Sequence, residues 1–299
     1  MQKLARKQGL HGASERTSDI VLVVLCTLIL LIIAYPLYYV LIASFSDPYD
    51  VYAGKTFILP SQFSFESYTA VFADEGIFKG LLNSFLYTFI GTIFSTVLVY
   101  ITAYPLSLRD LPGRKFFSIF FIITMYFGGG LIPTYLVVRD TGLIGNMWSL
   151  FLPGAVSVGN MIIVRNYFEN SIPASLTEAA EIDGASKLRV FLQIIVPLSG
   201  PIMAVMVVYA MVAYWNDWFT AMIYNVDAPL TLVLRSVLIK SSASASQAST
   251  ISGGYAELNK TTERIKFASI IVAAGPMLIF YPFVQKYFEQ GMMAGAVKG

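Results

Sequence analysis

Residues 173–201, PASLTEAAEIDGASKLRVFLQIIVPLSGP, decide the fold: they form a short charged segment that leads into a long apolar window. Pro173 favours an end to the preceding helix. Gly184 supplies the left-handed position that commonly terminates a helix. We therefore predict a short helix over about 176–183, held along a surface by turns at both ends.

The ends and faces of this helix suggest that it docks into a partner. Ser175 and Glu178 fit a capping box, and Ser186 can start the next helix. Two alanines without bulk let a groove close around the helix, and acidic residues line its rim. An amphipathic linker that touches nothing is the alternative. The predicted docking residues are Ser175, Glu178, Ala179, Ala180, Asp183 and Gly184.

Composition defines the class of protein. The 299 residues are 56% hydrophobic and only 13% charged, against roughly a quarter charged in soluble domains. Uncharged windows long enough for a membrane helix of about 18 residues or more cover 20–46, 80–108, 116–138, 141–164, 190–216 and 267–285. A barrel would instead alternate over segments of about ten residues. We predict an all-α integral membrane protein with six transmembrane helices, spanning 20–285.

The distribution of basic residues orients the chain. The termini and the segments on their side carry 12 Lys and Arg in 65 positions, and the opposite segments carry 8 in 85. Basic residues favour the cytoplasmic side, so both termini, 1–19 and 286–299, are predicted to be cytoplasmic tails. The long opposite segment 217–266 is predicted to contain an amphipathic part, 227–240, and a flexible Ser/Ala-rich part, 241–254.

Two windows contain helix-breaking residues. Gly128 to Gly130 and Pro133 interrupt the third window, and Pro197 to Pro201 interrupt the fifth. Backbone groups released by a break must be buried in protein or line a cavity, although glycines also permit tight helix packing. We predict a cavity-lining break in the third window and a bend in the fifth.

The residues needed for chemistry on this chain are missing. No phosphate-binding loop of the form G-x-x-x-x-G-K-[ST] occurs, and His11 is the only histidine. The windows contain no ionisable relay of the kind that ion-coupled carriers use, and the lone Cys26 is assigned to packing. The sequence therefore predicts a non-catalytic conduit without a metal or cofactor of its own.

Several motifs together resemble one family. The EAA loop of ABC-importer permeases is matched by Glu178-Ala179-Ala180, Gly184, Ile194 and Val196-Pro197, with valine in place of the usual leucine. The segments WNDWF at 215–219 and YPFVQKYFEQGMMAGAVKG at 281–299 are similar to signatures of the carbohydrate-uptake (MalG-like) permeases of type I fold. FGGGLIPTYLVV at 127–138 resembles the polysaccharide or complex-oligosaccharide branch.

The resemblance implies a mechanism and a set of partners. They are a second, homologous permease subunit forming a heterodimer, two ABC ATPase subunits that hold ATP and magnesium, and an extracytoplasmic solute-binding protein. The EAA loop, 173–197, would transmit ATPase motion. The loop at 225–263 would reach the binding protein, and the tail after Tyr287 would extend between the ATPases. The chain would lie in the bacterial cytoplasmic membrane and bind no nucleic acid.

Sugar-binding chemistry needs aromatic faces with nearby amides and carboxylates. The predicted residues of the solute path are Tyr126, Gly129, Tyr135, Trp215, Asn216, Asp217 and Trp218. The tryptophans could equally form an interfacial aromatic belt. The alternatives to a sugar-importer permease are an ABC permease for another solute, an autonomous channel or ion-coupled carrier, and a membrane scaffold.

Overall fold

The structure, a computed structural model, describes residues 13–47, 50–51, 54–60, 62–247, 265–280 and 282, with only the backbone at 13–17 and 240–247. The described part is helical and contains no strand. Its helices are α1 Ala13–Ser44, α2 Glu66–Ala73, α3 Glu75–Ser107, α4 Arg114–Tyr126, α5 Leu131–Asp140, α6 Trp148–Phe151, α7 Val158–Ser171, α8 Ala174–Ile182, α9 Lys187–Leu198, α10 Gly200–Trp215, α11 Phe219–Ile223, α12 Leu230–Gln247 and α13 Ile265–Phe280.

The lengths of the helices limit how many can cross a membrane alone. Within the described residues, Ser18–Ser44 of α1 and the whole of α3 are long and apolar enough. The pairs α4/α5 and α9/α10 qualify only together, because each is sharply bent, so the helices that pass this test number two to four. The windows at 141–164 and 267–285 correspond to shorter helices, α7 and α13.

The long helix α3 is the centre of the packing. It lies against α10, α7 and α12, and its approach to α10 is close because residue 91 is glycine. A Cβ atom at Gly91 would lie 2.7 Å from the Tyr214 ring. Small residues allow such close helix contacts in membrane proteins. Gly91 therefore allows the close crossing that positions the C-terminal half of α10.

Both predicted interruptions are present. The axes of α4 and α5 differ by 111° at residues 127–130, so the third window is not one straight helix. Gly130 has φ +83°, and a Cβ atom there would meet nothing within 4 Å. Among the described residues the break is open at Gly128 and Gly130, and the predicted lining of a cavity by the break remains a prediction. The bend between α9 and α10 is 81°, which confirms the prediction for the fifth window.

The connections outside the core have structure of their own. The segment 47–79 contains α2 and packs against Phe45, which precedes it. The Phe45 and Phe63 rings stack at 5.1 Å, and the Phe45 and Tyr68 rings lie 5.1 Å apart. In the other long segment, α12 continues to Gln247, so the prediction of a flexible stretch from residue 241 is wrong for 241–247. Residues 248–264 and the tail signature from 283 onward lie outside the described residues.

Candidate functional site

The helix predicted for docking is α8. It begins at Ala174, directly after Pro173, whose backbone is extended with φ −61° and ψ 127°. Ser175 therefore lies inside the first turn. No side chain of the described residues caps the helix, so the predicted capping box is wrong. Gly184 has φ +83° and Ser186 Oγ accepts from the Arg189 amide at 3.3 Å, which confirms both turn predictions.

The predicted docking residues lie mostly on the surface of α8 and its turn. Those exposed are Ser175, Glu178, Ala179, Asp183 and Gly184. Ala180 is half-buried, because it packs against the cluster around Tyr104 and Phe191. One side of α8 is thus anchored to the core, and the other side is free to meet a partner.

Ile182 extends the exposed surface of α8 and was missed by the sequence interpretation. Ile182 is 86% exposed, and Leu176, six positions earlier, is 45% exposed. Residues three apart on a helix are neighbours on one face, so Leu176, Ala179 and Ile182 form one exposed stripe. The signal in the sequence was an apolar residue between two acidic ones. Such a stripe favours binding to another protein.

A lysine holds α8 in place. Lys187 Nζ lies 2.7 Å from Glu181 Oε1 and 3.2 Å from Asp110 Oδ2, so it joins α8 to the turn after α3. The hydrogen bond to Glu181 raises the pKa of Lys187, and the hydrogen bond from Lys187 lowers the pKa of Asp110. Tyr104 also donates to the Lys187 carbonyl oxygen at 3.1 Å. These contacts tie α8 to α3 and α9.

A second ionic cluster braces the same end of the molecule. Glu169 pairs with Arg114 and, at 2.7 Å, with Arg165. Arg114 Nε donates to the Leu106 carbonyl oxygen at 2.8 Å, and Arg165 donates to Ser118 Oγ at 3.1 Å. The ends of α3, α4 and α7 are therefore tied together beside α8.

The bend after α9 joins α8 to the membrane part. Phe191–Ile195 form one turn of π-helix, and Ser199 separates α9 from α10. Tyr100 donates to the Ser199 carbonyl oxygen at 3.3 Å, which also accepts from the Met203 amide at 2.9 Å. Kinks of this size commonly occur at prolines and π-bulges, and Pro201 lies in the first turn of α10. The bend at Ser199 is thus stabilised by a side chain of another helix, α3.

The C-terminal half of α10 lines a polar cleft of about 580 Å³. Among the predicted path residues, Asn216 and Asp217 contribute to its wall. Asp217 Oδ1 also accepts from the Thr220 amide at 3.1 Å and so starts α11. The sequence interpretation missed several hydroxyl and amide residues of the same wall. Their only signal was polarity within uncharged windows or, for Tyr224, in the segment just after the fifth window. They are Ser95, Ser149, Ser157, Asn160, Tyr209, Tyr214 and Tyr224.

The two tryptophans of the WNDW segment lie away from this cleft. Trp215 is 4% exposed and donates from Nε1 to the Ala273 carbonyl oxygen at 3.1 Å. Trp218 packs under the guanidinium of Arg235, 3.6 Å from its ring centre. The residues of WNDW are consecutive at the end of a helix, so they point in different directions. The amide and carboxylate line the cleft, whereas the indoles bind neighbouring helices.

Only some of the solute-path residues predicted in the third window lie near the polar cleft. The Tyr135 ring stacks on Tyr224 with 6.3 Å between ring centres, and Tyr224 lines the polar cleft. Tyr126 is 76% exposed and Gly129 lies in the open break, and neither lines that cleft. The structure therefore brings Tyr135, Asn216 and Asp217 to one region.

The fold and these two sites define a class of protein, an all-helical membrane permease of the ABC-importer type. The described structure matches, with a TM-score of 0.84 and 31% identity, a crystal structure of a bacterial ABC transporter involved in the import of the acidic polysaccharide alginate. The match covers 94% of this chain and 100% of that one. No protein-family profile matches the chain.

Sequence relatives specify the family. The polygalacturonan/rhamnogalacturonan transport system permease protein YtcP of Bacillus subtilis (strain 168) is 41% identical over 90% of this chain and 94% of its own length. Protein LplC of the same strain is 37% identical over 88% and 89%. The melibiose/raffinose/stachyose import permease protein MelC is 27% identical over 96% and 99%.

The chain belongs to the family of permease subunits of carbohydrate ABC importers. It is a multi-pass protein of the bacterial cytoplasmic membrane and a non-catalytic component of an ABC transporter complex. The sequence interpretation of family, function and location is confirmed.

Proposed function

We propose that this chain forms half of the translocation path for oligosaccharides derived from an acidic polysaccharide, and that α8 couples it to an ATPase. The observation that carries the proposal is the joining of two sites by one continuous stretch of chain. The exposed stripe of α8 leads through α9 and the 81° bend into α10, whose far end lines the polar cleft. Movement of α8 is expected to alter that cleft.

The substrate class is inferred from the relatives and from the cleft. The named substrates of two relatives, polygalacturonan and alginate, are acidic. Among the described residues, the wall of the cleft holds hydroxyls, amides, tyrosine rings and one carboxylate, Asp217, and no basic residue. A carboxylate accepts hydrogen bonds from sugar hydroxyls and repels uronate groups. This permease subunit therefore binds the hydroxyl edges of the sugar. The carboxylates of the sugar face the second permease.

The remaining organisation follows the sequence prediction. Six crossings of the bilayer, at about 20–46, 80–108, 116–138, 141–164, 190–216 and 267–285, would place both termini in the cytoplasm. The bent pairs α4/α5 and α9/α10 would each count as one crossing, and the shorter helices in the fourth and sixth windows as one each. The partners are a second, homologous permease, two ATPases with ATP and magnesium, and an extracytoplasmic binding protein.

Transport by the reconstituted complex tests this proposal. Proteoliposomes with both permeases, the ATPases and the binding protein are expected to accumulate labelled trigalacturonate only with ATP. Asp217→Asn keeps the cap on α11, because asparagine also caps helices, and it removes the charge. We expect uptake to change with this variant, whereas Asp227→Asn, an equal charge change at a site 68% exposed beside Lys79, leaves uptake unchanged.

Two results would contradict the proposal. ATP-independent accumulation would favour an autonomous channel or carrier. Equal uptake by wild type, Asp217→Asn and Asp217→Ala would exclude the cleft from the path, even if import itself depends on ATP.

A further inference from the structure

A second groove runs along the other side of α10, away from the polar cleft. It lies between α10, α12 and α13 and has a volume of about 650 Å³. Val212, Ala273 and Ala274 line its middle, and Met277 and Leu278 line the end toward the bend. The indole hydrogen bond from Trp215 to α13 closes its floor. Small alanines on one wall leave room for a narrow, elongated occupant.

The opposite end of the groove carries a cation. Arg235 lies half-buried with its guanidinium 3.6 Å from the centre of the Trp218 ring. Stacking on an aromatic face leaves the N–H edge of a guanidinium available for an oxyanion. Within the part of the chain that the structure describes, no carboxylate pairs with Arg235. Asn216 lies at the same end and adds an amide.

The groove is therefore amphipathic along its length. A cationic and aromatic end is followed, toward the middle of the membrane part, by an apolar wall that ends at Leu278, 69% exposed. A sugar would require hydrogen-bonding groups along the whole wall, and this wall has few. Arginine and tryptophan are side chains that occur where a membrane protein meets lipid headgroups.

We infer that this groove binds one anionic phospholipid. Its phosphate would accept hydrogen bonds from Arg235, and one acyl chain would lie along Val212, Ala274 and Leu278. Charge complementarity at one end and apolar complementarity at the other select this occupant. The site is separate from the solute cleft, and Asn216 is the residue that borders both. Bound lipid would hold α12 against α10 and α13.

Native mass spectrometry of the complete transporter complex tests the inference. Delipidated complex is titrated with phosphatidylglycerol or with phosphatidylcholine of identical acyl chains. Wild type is expected to bind one phosphatidylglycerol in preference, and Arg235→Gln to lose that preference by about tenfold, the effect of removing one charge-assisted hydrogen bond. Arg139→Gln is the matched control, because Arg139 is exposed and already paired with Asp140 at 2.8 Å.

A second variant tests the apolar half. Ala274→Phe fills the groove and leaves Arg235 intact, so binding of both lipids is expected to fall while the mass of the complex shows intact assembly. Equal phosphatidylglycerol binding by wild type and Arg235→Gln overturns the inference. A wild-type complex that binds neither lipid preferentially also overturns the inference. This result would occur if a helix of the partner permease filled the groove. Binding of trigalacturonate, rather than lipid, that depends on Arg235 overturns it in favour of a sugar site.

Discussion

Replacing Ile182 by serine is expected to weaken the binding of the ATPase without harming the fold of the permease. Ile182 is 86% exposed, so almost its whole side chain is available for burial in a partner groove. Burying an isoleucine contributes about 2 kcal/mol, which corresponds to an affinity about 30-fold weaker for the Ile182→Ser variant. Little packing is lost against the described residues, because the Ile182 side chain is almost fully exposed there.

The affinity is measured by titrating labelled ATPase into the permease pair held in lipid nanodiscs. Ile58→Ser is the matched control, since Ile58 is also an exposed isoleucine, at 70%, in the segment predicted to lie on the opposite side of the membrane. The control is expected to bind as wild type does. If Ile182→Ser binds the ATPase within twofold of wild type, the stripe on α8 is not the docking surface and the reasoning is wrong.

Two further changes test the internal contacts. Lys187→Met removes the bridge to Glu181. The free energy of unfolding is expected to fall by at most about 0.5 kcal/mol, because the lysine is well exposed. The carboxylate of Glu181 raises the pKa of Lys187, so the bridge contributes fully below pH 10.5, the ordinary lysine value, and is lost as the pH rises past the folded value. The difference in melting temperature between Lys187→Met and wild type should be constant from pH 7 to about 9 and shrink at higher pH. Gly91→Ala drives a methyl group to 2.7 Å from Tyr214 and should destabilise the α3–α10 contact by about 1–3 kcal/mol. Gly159→Ala, where a Cβ atom meets nothing within 4 Å, should leave the melting temperature unchanged or raise it, and equal effects of the two glycine changes would refute the packing argument.

The backbone course of residues 173–201 was predictable because the conformational limits of glycine and proline are local. Glycine at 184 adopts a positive φ without steric cost, and prolines at 197 and 201 fix φ in any surroundings. The end of α8 and the bend before α10 therefore follow from the sequence. The capping box failed for a related reason. Pro173 itself provides the extended residue before the helix, and this moved the start one residue ahead of Ser175.

The direction in which side chains point was decided by tertiary structure. In a soluble helix, polarity distinguishes the buried face from the exposed face, but membrane lipid is as apolar as a protein core. The apolar windows therefore revealed that the chain crosses a bilayer, and not which residues face a cleft. The sequence predicted that all four residues of WNDW, 215–218, line the solute path. The packing of α12 and α13 against α10 decided that the amide and the carboxylate line the polar cleft and the indoles do not. The sequence determined the class, the breaks and the helix α8 through local backbone constraints and total hydrophobicity. Only the packed structure decided the two grooves, because they are made by residues far apart in the chain.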